Sequence, residues 1–550
     1  MSESVNPGDA SGDSLARSTA GMAVGTVASR VLGVVRASMQ VAVVGTALAG
    51  DAWDVANTLP NSIYLLLAGG VINAVLVPQI TRATSHADGG REYVDRLLTI
   101  AIAAIAVVTV VFTLAAALLV RLYSSATWTS DVRSLSTAFA LICLPQIFFY
   151  GLYTLLGQVL NARNQFAAYM WAPVVANLVA IAGMGYFLLT FSHQAAPTSW
   201  TSPMVWVLAG SATAGIAAQA LVLILPLWRS GFRFRPRWGV RGFGLRKAST
   251  VALWTFAALG VSQVGFIITS QVLTYAGQAG NVAGLEVPGK ISYTNAFLIF
   301  MLPHSLVTVS LVTALFTRMS RAAHAGDLAE VRADVSTGLR LTAVATVPAT
   351  VGAFVLGFPA TATLYQGSSE ASTRGIATVM MAMMLGLVPF GALYLLQRVF
   401  YAFEDARTPF RLQIVVTVVA TIANLVSLLL PLRWIAVGVG AGQALSNLAG
   451  MILALILARR RLEALPLRDV TRTYVRLGVA SVLAGGAAYI VLMGLGQVVH
   501  GKLYSPAALV TGALVFATIY VVAARRLRVR EIDDLVSPVL DRLRGVLLGR

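Results

Sequence analysis

The sequence predicts an all-α protein that crosses a membrane many times. Of its 550 residues 57% are hydrophobic and only 11% are charged, with a mean hydropathy of +0.78, whereas a soluble protein carries about 25% charged residues. Apolar runs of about 20 residues, the length at which a helix spans a bilayer, occur about fourteen times along the chain.

The predicted spans follow one another along almost the whole chain. They lie near residues 22–48, 57–80, 97–120, 135–160, 167–191, 203–228, 249–277, 291–317, 338–363, 375–400, 410–431, 434–457, 475–497 and 505–524. Residues 1–21 are polar and lack the basic start and short apolar core of a signal peptide, so we expect a disordered cytoplasmic tail. Residues 525–550 alternate charges with Leu and Val, which predicts a basic amphipathic helix on the inner leaflet.

Basic residues predict which ends of the spans face the cytoplasm. If residues 1–21 are inside, 32 of the 40 Lys and Arg lie in loops on that side, seven of them in the basic loop 229–248, and six lie on the other side. This bias matches the positive-inside rule. We therefore expect a multi-pass protein of the cytoplasmic membrane with both termini cytoplasmic. The net charge of +18 then indicates contact with anionic lipid head groups and not with nucleic acid.

Two pairs of similar segments indicate an internal repeat. "VASRVLGVV" (27–35) and "GVSQVGFII" (260–268) open the first and seventh spans, while "GQVLNARNQ" (157–165) and "QRVFYAFED" (397–405) close the fourth and tenth. The offsets are 233 and 240 residues, nearly equal. We predict two pseudo-symmetric six-helix lobes, 22–228 and 249–457, followed by a terminal helix pair, 458–524, with the substrate site between the lobes near the midplane.

The first span, "TVASRVLGVVRASMQVAVVG" (26–45), contains two arginines and no acid. An arginine near the bilayer centre costs about 2.5 to 3.5 kcal/mol on insertion scales. Thr26 and Gly33 recur on the face of Arg30 at helical spacing, as in a stripe that lines a cavity. Arg36 lies six residues further on, about 240° around the helix, and can also snorkel to the interface. Both arginines are candidate substrate contacts.

Polar residues in other spans are weaker candidates. In "GDAWDVANTLPN" (50–61), Asp51, Asp54 and Asn57 recur at steps of three along one side of the second span. The two acids are interpreted either as groups that stabilise a helix N-terminus or as gating residues. Polar residues elsewhere in the spans either line the cavity or form interhelical hydrogen bonds, and the group in the seventh and eighth spans is favoured as cavity lining: Asn73, Gln158, Asn177, Gln263, Ser270, Gln271, Asn295 and Asn424.

The sequence contains no pattern typical of an enzyme or a metal site. Cys143 is the single cysteine and the five histidines are scattered, so neither a disulfide nor a metal cluster is predicted. There is no phosphate-binding GxxxxGK[ST] motif. Because no cofactor is expected, uphill transport would depend on Na⁺ or H⁺ or on the membrane potential.

Two segments resemble the MurJ/MviN family of the MOP flippase superfamily. "SRVLGVVR" followed by "GDAWDVANTLPNSIYLLLAGGVINAVLVPQI" is similar to the first family signature, and "FYAFEDARTPFR" (400–411) is similar to the second. The resemblance implies fourteen spans, two six-helix lobes, a terminal helix pair and the flipping of lipid II, the undecaprenyl-pyrophosphate-linked peptidoglycan precursor. Cell-wall synthesis or division proteins are implied as partners.

The resemblance also implies roles for individual residues. Arg30 and Arg36 occupy the family's cavity arginines and would bind the pyrophosphate; the full set of expected substrate contacts is Arg30, Arg36, Asn57, Tyr64, Asn73, Gln263 and Asn295. Asp51 matches the family's acid after the first span and is expected, with Asp54, to gate. Asp405, Thr417 and Thr421 fall on positions connected with an ion site.

The chain departs from the family pattern at three cavity positions. Tyr64 replaces an arginine of the second span, Gly69 replaces the glutamate of a Glu-Gly pair, and the eighth span, within "SYTNAFLIFMLPHS" (292–305), has no arginine. A less cationic cavity is therefore expected. Two alternative functions are a multidrug or cation antiporter of the same superfamily and a non-transporting scaffold of cell-wall assembly. The antiporter would require acids for cationic drugs where the first span offers arginines.

Overall fold

The structure is a computed structural model that describes residues 7–67, 91–163, 165–192, 196–239 and 250–533. Over these ranges the chain is helical and contains no β-strand. It divides into two compact units, unit 1 (Met1–Leu259) and unit 2 (Gly260–Arg550). The predicted all-α class is confirmed.

Unit 1 contains nine described helices and the start of a tenth. They are α1 (Pro7–Val44), α2 (Leu48–Leu67), α3 (Arg91–Leu114), α4 (Ala116–Tyr123), α5 (Ser130–Cys143), α6 (Gln146–Ala162), α7 (Phe166–Thr190), α8 (Ser202–Leu221), α9 (Ile224–Arg229) and α10 (Thr250–Val282), with a 3-10 turn at Pro197–Ser199. Helix α1 thus includes residues 7–21, for which the sequence predicted a disordered tail. Proline fits its first turn because the missing N–H has no helical partner there.

Helix α1 packs along α7 through small residues. A Cβ atom on Gly25 would lie 3.0 Å from the Trp171 ring nitrogen, and one on Gly185 would lie 3.9 Å from Met39 Cε. Between these contacts the Asn177 amide donates a hydrogen bond to the Ser29 carbonyl oxygen over 3.0 Å. The contacts advance together along both helices, so α1 and α7 run parallel, as the first and fifth spans of a serpentine chain must.

Unit 2 continues from α10 with nine further described helices. They are α11 (Lys290–Pro303), α12 (Val309–His324), α13 (Leu328–Leu364), α14 (Glu370–Met384), α15 (Leu387–Ala402), α16 (Arg407–Ser427), α17 (Leu432–Arg461), α18 (Leu467–Val498) and α19 (Tyr504–Arg526), with a π-helical turn at His304–Thr308 and a 3-10 turn at Gly501–Leu503. Leu315, Leu339, Leu395 and Ala454 share one buried core from four of these helices.

The terminal pair α18 and α19 packs on α13. Tyr520 donates a hydrogen bond to the Val344 carbonyl oxygen over 2.7 Å, and Tyr474 donates one to that of Leu339 over 3.1 Å. After α19 the chain turns back, and Arg340 pairs with Glu531 at 2.5 Å. Ile532 is fully buried beside it. The start of the predicted amphipathic tail 525–550 therefore docks on protein, while residues 534–550 lie outside the described ranges.

Loops that the charge pattern places on the same side of the membrane contact each other within each unit. In unit 1, Arg163 donates to the Ser230 carbonyl oxygen and Arg237 pairs with Glu92 at 3.0 Å, so three predicted inside loops meet. In unit 2, Arg332 donates to the Leu462 carbonyl oxygen. At the predicted outside ends, Ser369 donates to Glu286. Which group faces the cytoplasm stays a prediction.

The predicted spans coincide with these helices. Among the described residues twelve helices are long and apolar enough to cross a membrane, and Glu370–Met384 with Leu387–Ala402, bent by 46°, adds a thirteenth if the pair is one span. The remaining predicted span, 57–80, begins in α2 and leaves the described ranges at residue 68. The division into lobes and a terminal pair stays a prediction.

The pair between Arg340 and Glu531 is expected to stabilise unit 2 far more than the exposed pair between Arg525 and Asp533. Glu531 is 8% exposed and Arg340 29%, against 58% and 41% for the second pair. Arg340→Ala leaves a buried carboxylate without its cation and should cost about 3 kcal/mol, whereas Arg525→Ala should cost less than about 1 kcal/mol. Thermal unfolding in detergent measures both, and equal losses would contradict the assignment.

Candidate functional site

The two arginines of α1 lie in different surroundings. Ser29 and Gly33 face α7, because Asn177 donates to the Ser29 carbonyl oxygen and a Cβ atom on Gly33 would lie 4.0 Å from the Asn177 amide nitrogen. Arg30, about 100° further around the helix, is exposed, and Arg36 is half-buried. Neither guanidinium pairs with a carboxylate in the described part of the chain.

Arg36 belongs to a polar group built by three helices. The hydroxyl of Tyr150, in α6, lies within electrostatic range of Arg36. Tyr64, in α2, stacks on Tyr150 with ring centroids 5.4 Å apart, and its hydroxyl is hydrogen-bonded to that of Thr154. We call Arg36, Tyr64, Tyr150 and Thr154 the Arg36 cluster.

Sequence reasoning anticipated half of the Arg36 cluster. It named Arg36 and Tyr64 but missed Tyr150 and Thr154. These two are four residues apart in the apolar run "IFFYGLYTLLG", so they share one face of α6. A search for hydroxyl side chains at helical spacing would have found them.

The two acids of α2 are buried. Asp51 lies in the first turn of the helix, and Asp51 and Asp54 are each 1% exposed. A first-turn carboxylate complements the helix dipole, which accounts for Asp51. Asp54 is nearly one turn further in, so the helix end does not account for its burial. Asn57 is half-buried, and a gating role for the acids stays a prediction.

The intramembrane amides divide between helix contacts and local bonds. Asn424, in α16, donates a hydrogen bond to the Thr269 hydroxyl of α10 over 2.8 Å, and Asn177 holds α1, as an interhelical role requires. Asn295 is buried and donates to the Ile291 carbonyl oxygen of its own helix over 2.8 Å. Gln263 is half-buried in α10. Asn73 lies outside the described residues.

The three expected ion-site residues do not come together. Asp405 accepts hydrogen bonds from the backbone N–H groups of Arg407 and Thr408 and from the Thr408 hydroxyl, so it caps the start of α16. Thr417 is twelve residues further along the chain, about 18 Å at 1.5 Å per helical residue. A single ion cannot bind both. Within the described ranges no three His, Cys, Asp or Glu side chains are grouped to hold a metal ion.

Thr417 lies at a close helix contact. A Cβ atom on Gly265 would lie 2.8 Å from Thr417 Cγ2, and Gln413 donates to the Thr417 hydroxyl over 3.2 Å. Thr421 is half-buried one turn further on. An ion site at Thr417 and Thr421 stays a prediction, and Asp405 is not part of it.

Comparison with known proteins assigns the family. The model of the family described as "Lipid II flippase MurJ" matches residues 41–504. The chain belongs to the lipid II flippase MurJ family. The lipid II flippase MurJ of Burkholderia cenocepacia is 28% identical over 473 residues, which cover 84% of this chain and 87% of that protein.

Solved structures extend the likeness to the fold. A lipid II flippase MurJ in an inward closed conformation matches with a TM-score of 0.70 and 18% identity, over 92% of this chain and 99% of that one. An inward-facing multidrug resistance MATE family transporter of the MOP superfamily matches with a TM-score of 0.64 and 16% identity, over 78% of this chain and 94% of that one. At these identities the likeness concerns the fold alone.

The Arg36 cluster contains a position at which this chain departs from the family pattern. The resemblance implies an arginine where this MurJ-family chain has Tyr64, whose ring stacks on that of Tyr150, the residue on which the charge of Arg36 acts. Hydroxyls donate hydrogen bonds to an anion without adding charge. The position of Gly69, a further departure, lies outside the described residues.

Substitution of Asp405 separates a capping role from ion binding. Asp405→Ala removes the cap and should cost about 1 kcal/mol, whereas Asp405→Ser keeps a capping oxygen and should stay close to the original stability. The check is thermal unfolding with and without Na⁺. A folded Asp405→Ser protein that had lost a Na⁺-dependent stabilisation would contradict the capping role.

Proposed function

We propose that this MurJ-family protein moves lipid II from the inner to the outer leaflet of the cytoplasmic membrane by alternating access. The observation that carries the proposal is the family match over residues 41–504, which includes every described helix from α2 to α18. It is a multi-pass transporter and not an enzyme. The geometry of unit 1 supports an anionic cargo, and that of unit 2 supports a lipid tail.

Arg30 and Arg36 provide the reason for an anionic cargo. A guanidinium in an apolar span without a carboxylate partner is destabilising, and a bound anion offsets that cost. Its planar fork of N–H donors matches two phosphate oxygens at once. The pyrophosphate of lipid II supplies such oxygens, and a cationic drug does not.

The Arg36 cluster supplies neutral donors beside the charge. Tyr64 is hydrogen-bonded to Thr154, and the Thr154 hydroxyl also donates to the Tyr150 carbonyl oxygen, so Tyr64 can donate to a phosphate oxygen instead without leaving the Thr154 hydroxyl unpaired. The head group is thus held by two arginines and by hydroxyls, where the family pattern uses further arginines. Asn57, Gln263 and Asn295, and Asn73 outside the described residues, are proposed as further contacts of the sugar and peptide.

An apolar groove in unit 2 is proposed to take the polyprenyl tail. It has a volume of about 410 Å³ and is lined by residues of α11, α13, α14 and α19, among them Leu302, Gly352, Met380 and Phe516. Bulk lipid is as apolar as the groove, so the tail binds by shape and van der Waals contact and not by the hydrophobic effect. Most of the α13 residues that line the groove are small, among them Gly352, Ala353 and Gly357.

The orientation and partners follow the basic loops. Both termini are proposed to be cytoplasmic, with the basic loops on anionic lipid head groups. Cell-wall synthesis or division proteins are proposed as further partners. A cation antiporter and a non-transporting scaffold are the outcomes that the following experiment must exclude.

The decisive experiment is to deplete the protein in its host and to measure the lipid II accessible at the outer leaflet. Plasmid copies carry the original chain, Arg30→Ala, Arg36→Ala or the conservative Arg30→Lys. Loss of one charge-assisted hydrogen-bonding group costs about 1.5 to 3 kcal/mol, so each alanine variant should lower outward lipid II by about tenfold or more. With Arg30→Lys, outward lipid II should lie between the level of the original chain and that of Arg30→Ala, because lysine keeps the charge but lacks the planar fork of N–H donors.

The matched control is Arg374→Ala, which removes an arginine from an exposed pair with Glu370 and should leave transport unchanged. Equal expression of every variant in the membrane fraction is required. If depletion leaves the distribution of lipid II unaltered, the flippase proposal is wrong, and the scaffold or another cargo replaces it.

Filling the groove should slow transport without unfolding the protein. A Cβ atom on Gly352 would lie 3.6 Å from Phe516, an ordinary contact, so the longer side chain of Gly352→Leu extends into the groove. Gly486→Leu is the control, since a Cβ atom there meets nothing within 4 Å. Outer-leaflet lipid II should fall several-fold in the first variant only. Equal transport in both variants would exclude the groove as the tail site.

A further inference from the structure

A π-helical turn interrupts the span formed by α11 and α12. It covers His304–Thr308, directly after Pro303, and the Val309 N–H donates to the His304 carbonyl oxygen five residues back. Such turns are rare and frequently occur at functional sites. His304 is the central residue of the predicted span 291–317. The irregular turn therefore places an ionisable ring at mid-membrane depth.

Two polar atoms of this turn have no hydrogen-bond partner among the described residues. They are the Nδ1 atom of His304, whose side chain is 2% exposed, and the hydroxyl oxygen of Thr308, which is fully buried. An unmet buried donor or acceptor costs about 1 to 3 kcal/mol. A purely structural turn gains nothing from keeping two of them.

Both side chains face α15 just after a bend. The ring centroids of His304 and Phe390 are 4.4 Å apart. A Cβ atom on Gly391 would lie 3.6 Å from the Thr308 hydroxyl oxygen. Phe390 follows the break at which α14 and α15 meet with a bend of 46°. Two irregular helices thus contact each other at His304, and packing there can change without breaking a regular helix.

The ionisable neighbours of His304 are few. The ring centroids of Tyr394, in α15, and His304 are 5.1 Å apart. The Tyr394 hydroxyl accepts a hydrogen bond from Arg398 over 2.8 Å. From α13, Thr346 lies beside Gly391. The charged residues of the helices around the turn lie towards their ends: Lys290 in α11, Arg318 and Arg321 in α12, Glu330, Arg332, Asp334 and Arg340 in α13, and Arg398 in α15.

Unit 2 offers no acid in this position. Helices α10 to α19 carry Asp or Glu only at Glu330, Asp334, Glu370 and Asp469, each within the first seven residues of its helix, and Glu531 and Asp533 follow in the helical residues after α19. Histidine is the side chain whose charge changes between pH 5 and 8. An ionisable residue inside a membrane span points to a functional role.

We propose that His304 is a proton-binding site that couples a proton gradient to the movement of the cargo. The inference rests on the proposed flippase function for its cargo and on the geometry of the turn for its site. The neutral ring suits the dry packing against Phe390, whereas the charged ring requires further donors or water. Protonation therefore favours a different packing of α12 on α15. Proton uptake from the outside and release to the inside would drive lipid II outward.

The site is tested directly by ¹⁵N NMR of histidine-labelled protein in lipid nanodiscs. The chain has five histidines, and the resonance missing from His304→Gln identifies the site. We expect the His304 resonance to change with pH as the ring gains its proton. If the Gln variant does not fold, Gln substitutions at the other four histidines assign His304 by elimination. A ring that stays neutral at every pH at which the protein remains folded overturns the proposal.

Coupling is tested in proteoliposomes that contain lipid II. With one proton per cargo, each unit of pH difference should change the ratio of lipid II between the leaflets about tenfold. His304→Gln should abolish this dependence, and the control His324→Gln, at an exposed site, should retain it. An unaltered response in His304→Gln overturns the coupling. If His304 titrates but the original protein does not move lipid II, the flippase proposal fails while the proton site stands.

Discussion

The absence of water in the bilayer interior is the constraint on which this structure depends. A backbone or side-chain polar group in hydrocarbon must find its partner within the protein. Helices satisfy the backbone, which accounts for a described chain without strands. Side chains such as Tyr520, which donates to the Val344 carbonyl oxygen, hold helices together. The same constraint makes each unsatisfied polar group inside the membrane conspicuous.

Several polar groups inside the described spans lack a partner, and the proposals rest on four of them. Within the described residues Arg30 and Arg36 have no carboxylate partner, and His304 and Thr308 have unpaired polar atoms. In contrast, Asn177 and Asn424 resemble candidate ligands in the sequence but are bonded between helices. Asn177 and Asn424 therefore have a structural role that the sequence alone does not reveal.

The sequence predicted the fold well because hydrophobic length and loop charge act over long stretches. Span positions and the grouping of basic loops appear in the described part of the structure. The site was harder to predict, because it depends on which side chains meet. Tyr150 and Thr154 come from a helix 90 residues from Tyr64, and Asp405 caps a helix that the signature alone does not reveal. The π-helical turn at His304 has no residue pattern of its own.

Replacement of arginine by tyrosine in the proposed head-group site changes its energetics. Each additional guanidinium binds a pyrophosphate more tightly but must be supported in the low-dielectric site when the cargo has left. Tyr64 and Thr154 are hydrogen-bonded to each other, so the release of the cargo would leave fewer uncompensated groups than a further arginine would. Weaker binding favours a transporter that must release its lipid in the outer leaflet. Because the electrostatic gain on binding is smaller, more of the binding free energy must come from Arg30 and Arg36.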